Sequence, residues 1–430
     1  MNIGRAAATP AVPAPSAPAG TSPASVPGPG EPPAAEHASS ARGSRGLAGR
    51  AARLAAFASR THAPYQAAAF RIGIGFVVAA FLVREWPHRR VLYGDRSPWA
   101  LDMAGRLLAE TGGFTVLTWW SGRWWFELVY HGTVAVAVLL MLGWRTRATS
   151  VLLMVGVLSL VNRNTQVTDG GDNILQVMVI YLVFTRCARV WSLDARRNRR
   201  LGDDPGRDRA GFLMWQAVGL ALLWVLGFSA TGWNAVLWGL WAVHGLWWLA
   251  CRRFPRHRAR ALLDDTAAML HNCAMLVIAV QVCLIYATAG WYKIQGSRWQ
   301  DGTALHYPLH LPEFSPWPWL AGLLAANMVV VLALTYGTVI LQVAFPFVVL
   351  NRKVKNVLIP VMMLEHLGIA VVLGIPFLSL AAIVCDAVFL PTAFLLLLGD
   401  RCTDAARRMR ERVRGAVRTS PPEKGVVVPS

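Results

Sequence analysis

The sequence predicts an all-α, polytopic integral membrane protein: a helical bundle of about ten transmembrane helices with both termini cytoplasmic. Three observations carry that expectation. Of 430 residues, 55% are hydrophobic and only 15% charged, well to the apolar side of a soluble domain. Apolar windows of roughly bilayer length recur along the chain. Basic residues gather in alternate connections between those windows, as the positive-inside rule requires. The formal net charge of +19 therefore reads as topology, and nucleic acid is rejected as a partner. The expected partner is the lipid bilayer of the cell membrane, whose interface suits the nineteen Trp.

Residues 1 to about 42 are Ala, Pro, Ser and Gly with few large apolar side chains, a composition that cannot bury a core and predicts disorder. Arg42, Arg45, Arg50, Arg53 and Arg60 follow as a basic lead-in that orients the first span. No apolar core of a signal peptide follows Met1, so the first span is expected to act as an uncleaved anchor. The ten windows lie at roughly 64–83, 125–142, 146–162, 173–189, 212–228, 233–250, 266–291, 327–350, 356–373 and 377–398. The windows at 212–228 and 233–250 read as a tight hairpin. Arginine-rich connections follow the second, fourth, sixth, eighth and tenth windows, and residues 401–430 form a basic cytoplasmic tail. None of the six cysteines falls in an external loop or in a CxxC pair, which argues against structural disulfides.

On this topology three outer loops, about 84–124, 163–172 and 292–326, meet at one face, where helix ends line a pocket walled by Trp299, Tyr307, Trp119–Trp120 and Trp124–Trp125. Lys293 closes the long apolar window before the third loop. It is either an interfacial anchor with a snorkelling stem or a functional amine at the mouth of the bundle. Arg71, within the first span, must pair with a carboxylate or with backbone carbonyls. Glu127 and His131 are one turn apart and share a helix face, as a polar interface or as a proton relay. Arg163, between Asn162 and Asn164, precedes a Gly170–Gly171–Asp172–Asn173 run. There Asp172 is suited to cap a helix, and the same groups can point at a ligand. Glu365, His366 and Asp386 fall in mid-span and must face the bundle interior. His306, His310, Asp301 and Glu313 match no metal-ligand spacing, and no metal is expected.

Several stretches, in order, resemble one family: AFRIGIGF (69–76), GWRTR (143–147), LVNRN…GGDN (160–173), FTRCARVWSLDA (184–195), YATAGWYKIQGSRWQDGTAL (286–305) and EHLGIA (365–370). Together they are similar to the HTTM (horizontally transferred transmembrane) domain of the vitamin K-dependent gamma-carboxylase-like proteins, over about residues 62–400. The resemblance implies that Lys293, in AGWYKI, matches the lysine that deprotonates the reduced vitamin, on the outer face. Burial in an apolar site would favour its free amine. Asp172 stands where the carboxylases carry a functional His, and the large extramembrane region that captures the propeptide has no counterpart. Glutamate carboxylation is therefore not implied.

The resulting expectation is membrane-embedded modification or maturation of an exported peptide or protein, with a lipid quinone as candidate reductant. Lys293 is the candidate base. Asp172 and His131 assist it, and Arg163, Asn173, Glu127, Trp299, Asp301, His306 and His366 line the pocket. The alternative is a non-catalytic membrane partner or a transporter using the same polar groups, although no internal repeat of the transporter kind is evident.

Overall fold

The computed structural model describes residues 56–201, 209–225, 231–253 and 258–419, together with Arg50 and Arg53. The disorder expected of residues 1–42, the leading Arg42 and Arg45, and the last residues of the C-terminal tail lie outside these. The described residues are all-helical, with no strand among them.

The first span is α1, Pro64–Glu85, opened by a proline in its first turn where no N–H is needed. After α2 (Leu101–Thr111) comes α3, Arg123–Leu142, which ends at Gly143 with φ +72°. Next are α4, Thr146–Arg163, and α5, Gly170–Val183. A capping box starts α5: the Asp169 carboxylate accepts from Gly171 N (2.6 Å) and Asp172 N (3.0 Å), and Asp172 accepts from Asp169 N (3.1 Å). Asp169 is thus the cap and Asp172 its third-position partner, a correction to the sequence reading. The basic helix α6 (Leu193–Leu201) precedes the tryptophan-rich pair α7 (Arg209–Val225) and α8 (Thr231–Arg253). Trp215 and Trp241 stack 4.2 Å apart across that pair, and each indole N–H donates to the other's carbonyl at about 3 Å.

The longest element is α9, Arg258–Gln295, 38 residues. After it, α10 (Pro318–Ala325) leads to α11 (Met328–Val348) and α12 (Arg352–Val372), whose starts are capped by Asn327 and Asn351. Last come α13, Pro376–Asp386, and α14, Thr392–Thr419.

Five helices (α1, α3, α9, α11 and α12) are long and apolar enough to cross a membrane. Large apolar side chains cover their outward faces, among them Leu276, Val329, Ile340, Phe347 and Leu364, each more than half exposed. In water such a surface would aggregate; facing acyl chains it needs no further cover. The chain is that of a membrane protein.

The other five windows fall short of that test, the tenth passing only if its two bent pieces count as one span, and two of them depart furthest from expectation. The fourth yields only the 14 residues of α5, about 21 Å at 1.5 Å per residue and short of a 30 Å hydrocarbon core. The tenth is broken: α13 and its short 3-10 extension to Phe389 meet α14 at a bend of 115°. Pro391 follows Leu390 there and removes a backbone donor. The half-length α13 nevertheless sits at the centre of the bundle, packed against α1, α5, α9 and α12. Gly171 permits this closeness on one side, because a Cβ would lie 3.0 Å from Leu378 Cα. The core around it includes Phe70, Ile74, Tyr130, Met178, Ile278 and Phe345, all fully buried.

Candidate functional site

Most polar residues singled out in the sequence resolve into three separate constructions, two of them structural. The first is a knot at the junction of α1, α3 and α4. Arg71, with no exposed surface, donates to the carbonyls of Leu140 (2.5 Å), Met141 (2.8 Å), Cys187 (3.2 Å) and Trp191 (2.7 Å). The last carbonyls of a helix have no intrahelical donor, and the guanidinium fork supplies one to α3. Asp194 completes the knot by accepting from Arg145 N (3.0 Å), Thr146 N (2.7 Å) and the Thr146 hydroxyl (2.8 Å), which caps α4 from a distant segment. Of the two partners open to Arg71, the carbonyls are the ones it uses.

The second construction ties down the loop before α3. Arg163 is buried and donates to Trp99 O (2.9 Å), Asn162 to Phe114 O (2.9 Å), and Asn164 to Leu92 O (2.8 Å). These side chains are spent on loop carbonyls, as buried backbone acceptors demand. Asp172 lies beside this loop, in the wall of a small cavity with Val78, Leu82, Tyr93 and Thr168. Its neighbour Asn173 is exposed.

The third construction is a polar cluster inside the bundle, and it holds the candidate site. Tyr286 and Lys293 are two turns apart on α9 and share a face. Lys293 Nζ donates to Gln342 Oε1 on α11 (2.7 Å), and Gln342 Nε2 donates to Glu365 Oε1 on α12 (2.8 Å). Thr338 stands beside the same carboxyl. The next residue, His366, turns about a quarter of the way round α12 and faces α9, where its Nε2 is 3.1 Å from the Tyr286 hydroxyl. That hydroxyl lies 3.0 Å from both carboxylate oxygens of Asp386, the last residue of α13. The Phe345 ring closes the cluster against Tyr286, with centroids 4.6 Å apart. Among the described residues, His366 Nδ1 is buried without a partner.

Lys293 therefore sits deeper than the mouth of the bundle. Gln342 lies fourteen residues past Met328, about 21 Å along α11 at 1.5 Å per residue. The connection after α9 folds back along the first half of α11, where Tyr336 donates to Gln300 O (2.7 Å) and Gly302 packs on Leu332. Trp299 in that connection, half-buried, presents its ring 5.1 Å from Lys293 Nζ.

The other expected pocket residues lie elsewhere. Glu127 accepts both N–H groups of Arg89 (2.9 and 3.0 Å), while His131 pairs with Trp86 Nε1 (3.0 Å) and, through its other ring nitrogen, with the Glu127 carbonyl (2.9 Å). The two do share a face and meet each other, His131 Nδ1 lying 3.4 Å from Glu127 Oε2, while Trp86 and Arg89 come from the turns after α1. Asp301 is exposed at a turn where the Thr303 hydroxyl, ahead of Arg298, holds its carboxyl below the usual range. His306 packs on His310, with ring centroids 4.3 Å apart. Among the described residues, no three His, Cys, Asp or Glu side chains converge as a metal cage would require. Trp119, Trp120, Trp124 and Trp125 cluster with one another and with Trp224, away from Trp299. Of the expected pocket, Lys293, Trp299 and His366 belong to the cluster, whereas Asp172, Arg163, Asn173, Glu127, His131, Asp301 and His306 make their contacts in other places.

Gln342 and Tyr286 escaped the sequence reading. The signals were present: Gln342 is the one amide in α11, and Tyr286 stands at helical spacing from Lys293. Searches of family models, of curated proteins and of solved structures return no match to this chain.

Proposed function

We propose that this is a ten-span protein of the HTTM type in the cell membrane, both termini cytoplasmic, which modifies or matures an exported peptide or protein at Lys293. The observation that carries the reading is the environment of that amine. Its acceptor is a neutral amide, Gln342, with Glu365 held one group further away. An amine so placed is positioned without being locked in a direct ion pair, as a general base must be. The convergence of AGWYKI and EHLGIA in one cluster, and of AFRIGIGF, GWRTR and RCARVWSLDA in one knot, adds support. Motifs that share a resemblance also share a place in the fold.

A lipid quinone as reductant is what the family resemblance suggests, and Trp299, whose ring the Lys293 amine covers at 5.1 Å, would have to turn aside to admit one. Such a ring would supply electrons in its reduced, hydroquinone form. The protein's own part is to hold Lys293, exclude water with Phe345 and Trp299, and return the proton taken.

Lys293→Ala, at equal accumulation in the membrane, should lower the modified form of an exported peptide about 100-fold or more, the usual weight of a general base. The measurement is mass spectrometry of the secreted peptides. Lys293→Arg should fail as well, because a guanidinium supplies no neutral form. A peptide set unchanged in Lys293→Ala ends the catalytic reading, and activity retained by Arg alone makes the residue an anchor. Reporter fusions after Arg200 and Arg260 should behave as cytoplasmic and one at Asp301 as external. An external reporter at Arg260 removes the ten-span topology.

A second reading, a transporter or a non-catalytic membrane partner, is favoured by one feature: the half-span α13 ends at a buried carboxylate, as broken helices do at transport sites. It expects an unaltered peptide mass with altered distribution across the membrane.

A further inference from the structure

We propose that Asp386, Tyr286 and His366 form a proton-storing relay, loaded at His366 Nδ1 and holding its proton on Asp386. It goes beyond the role given to Lys293 and does not depend on it. Asp386 has no exposed surface, and its contacts are to a single hydroxyl that lies 3.0 Å from both oxygens. A carboxylate in hydrocarbon needs a cation, several donors or a proton. Among the described residues no cation pairs with Asp386, and the other carboxyl that acts on it, Glu365, repels it.

Two arrangements of hydrogens satisfy the three groups. In the first, Asp386 is ionised, Tyr286 donates to it, and His366 Nε2–H donates to the tyrosine oxygen; Nδ1 then carries a lone pair. In the second, Asp386 is protonated and donates to the tyrosine oxygen, Tyr286 donates to His366 Nε2, and Nδ1 carries the hydrogen. They differ by one proton. Loading forms an N–H bond at Nδ1 and breaks the one at Nε2, whose proton passes to the tyrosine oxygen. The hydroxyl's own proton passes to an Asp386 oxygen. Tyr286 and His366 finish neutral, and the carboxylate charge is discharged. The unpartnered Nδ1, on a residue only 7% exposed, is the open end that such a relay requires.

The groups facing the relay are few. Cys385 precedes Asp386 on α13, Glu365 approaches from α12, and Lys293 acts on His366 from α9. Lys355 on α12 is held by the Phe389 carbonyl beyond the end of α13. Charged groups on the other helices packed there are engaged elsewhere: Arg71 of α1 with four carbonyls, Arg84 against Phe377, and Asp172 of α5 with Asp169 N.

The test uses the full chain in lipid nanodiscs, titrated from neutral to acid. Infrared difference spectra read protonated carboxyl, and nitrogen NMR of labelled histidine reads the tautomer. The expected result is a carboxyl band that grows on acidification in the same step in which His366 exchanges Nε2–H for Nδ1–H. Asp386→Asn should remove that band and freeze His366 in one tautomer. Tyr286→Phe, which keeps the ring packing, should separate the two events and serves where Asp386→Asn does not accumulate. A His366 that keeps one tautomer throughout, or becomes doubly protonated, overturns the relay. So does a carboxyl band that survives in Asp386→Asn, or coupling that survives in Tyr286→Phe.

Discussion

Arg71→Leu is expected to leave little folded protein in the membrane. The guanidinium serves carbonyls of Leu140, Met141, Cys187 and Trp191 at once, and no water replaces it at a side chain with no exposed surface. Each buried carbonyl left without its donor costs about 1–3 kcal/mol, so together they approach the roughly 5–15 kcal/mol that holds a whole domain. Lysine, with one point charge and no fork, should recover part of the loss. The order wild type, Arg71→Lys, Arg71→Leu should appear in unfolding midpoints measured in detergent. Equal midpoints for wild type and Leu would mean that the knot contributes nothing to stability.

Gly143→Ala should be the second most damaging single change, although it adds one methyl group. The backbone there has φ +72°, which costs an L-residue on the order of 1 kcal/mol. The added Cβ would stand 2.4 Å from Ser192 Cβ and 2.8 Å from an Arg71 nitrogen. Neither neighbour can retreat, because Ser192 belongs to the segment whose Asp194 caps α4 and Arg71 is fixed by its four acceptors. Overpacking of this kind costs about 1–3 kcal/mol. Ser192→Gly in the same chain should relieve part of the clash. If the double variant is no more stable than Gly143→Ala, the steric account is wrong.

Apolar helices were legible in the sequence because hydrocarbon imposes length and apolarity together: every window contains a helix among the described residues, and five of these helices are long and apolar enough to span. The break in the last one was not legible. Residues 377–398 read as one apolar run, and a single Pro391 within it does not say how far the chain turns. Lys293, Glu365, His366 and Asp386 stood out singly, since an ionisable group in an apolar window is conspicuous whatever its neighbours. Their grouping was hidden because the connectors are an amide and a phenol, residue types that pass unnoticed among Val and Leu. Arg163 and Asn164 misled for the opposite reason. Polar side chains at a helix end look available to a ligand, but here the carbonyls of an irregular loop claim them first.

The length of α9 has a mechanical consequence. Its N-terminal end is clamped where Arg186 meets the Asp264 carboxylate (3.1 Å) and carbonyl (3.0 Å). Lys293 lies 29 residues further along the same unbroken helix, about 43 Å at 1.5 Å per residue. A helix of this length curves only gently, and no proline breaks α9 to absorb a tilt. The clamp is therefore a fulcrum and the lysine rides at the end of a lever arm. A tilt of roughly 5° about Asp264 swings the amine by about 4 Å, beyond the about 3 Å reach of its contact with Gln342. A small displacement at the Asp264 end is thereby converted into making or breaking a single contact inside the bundle.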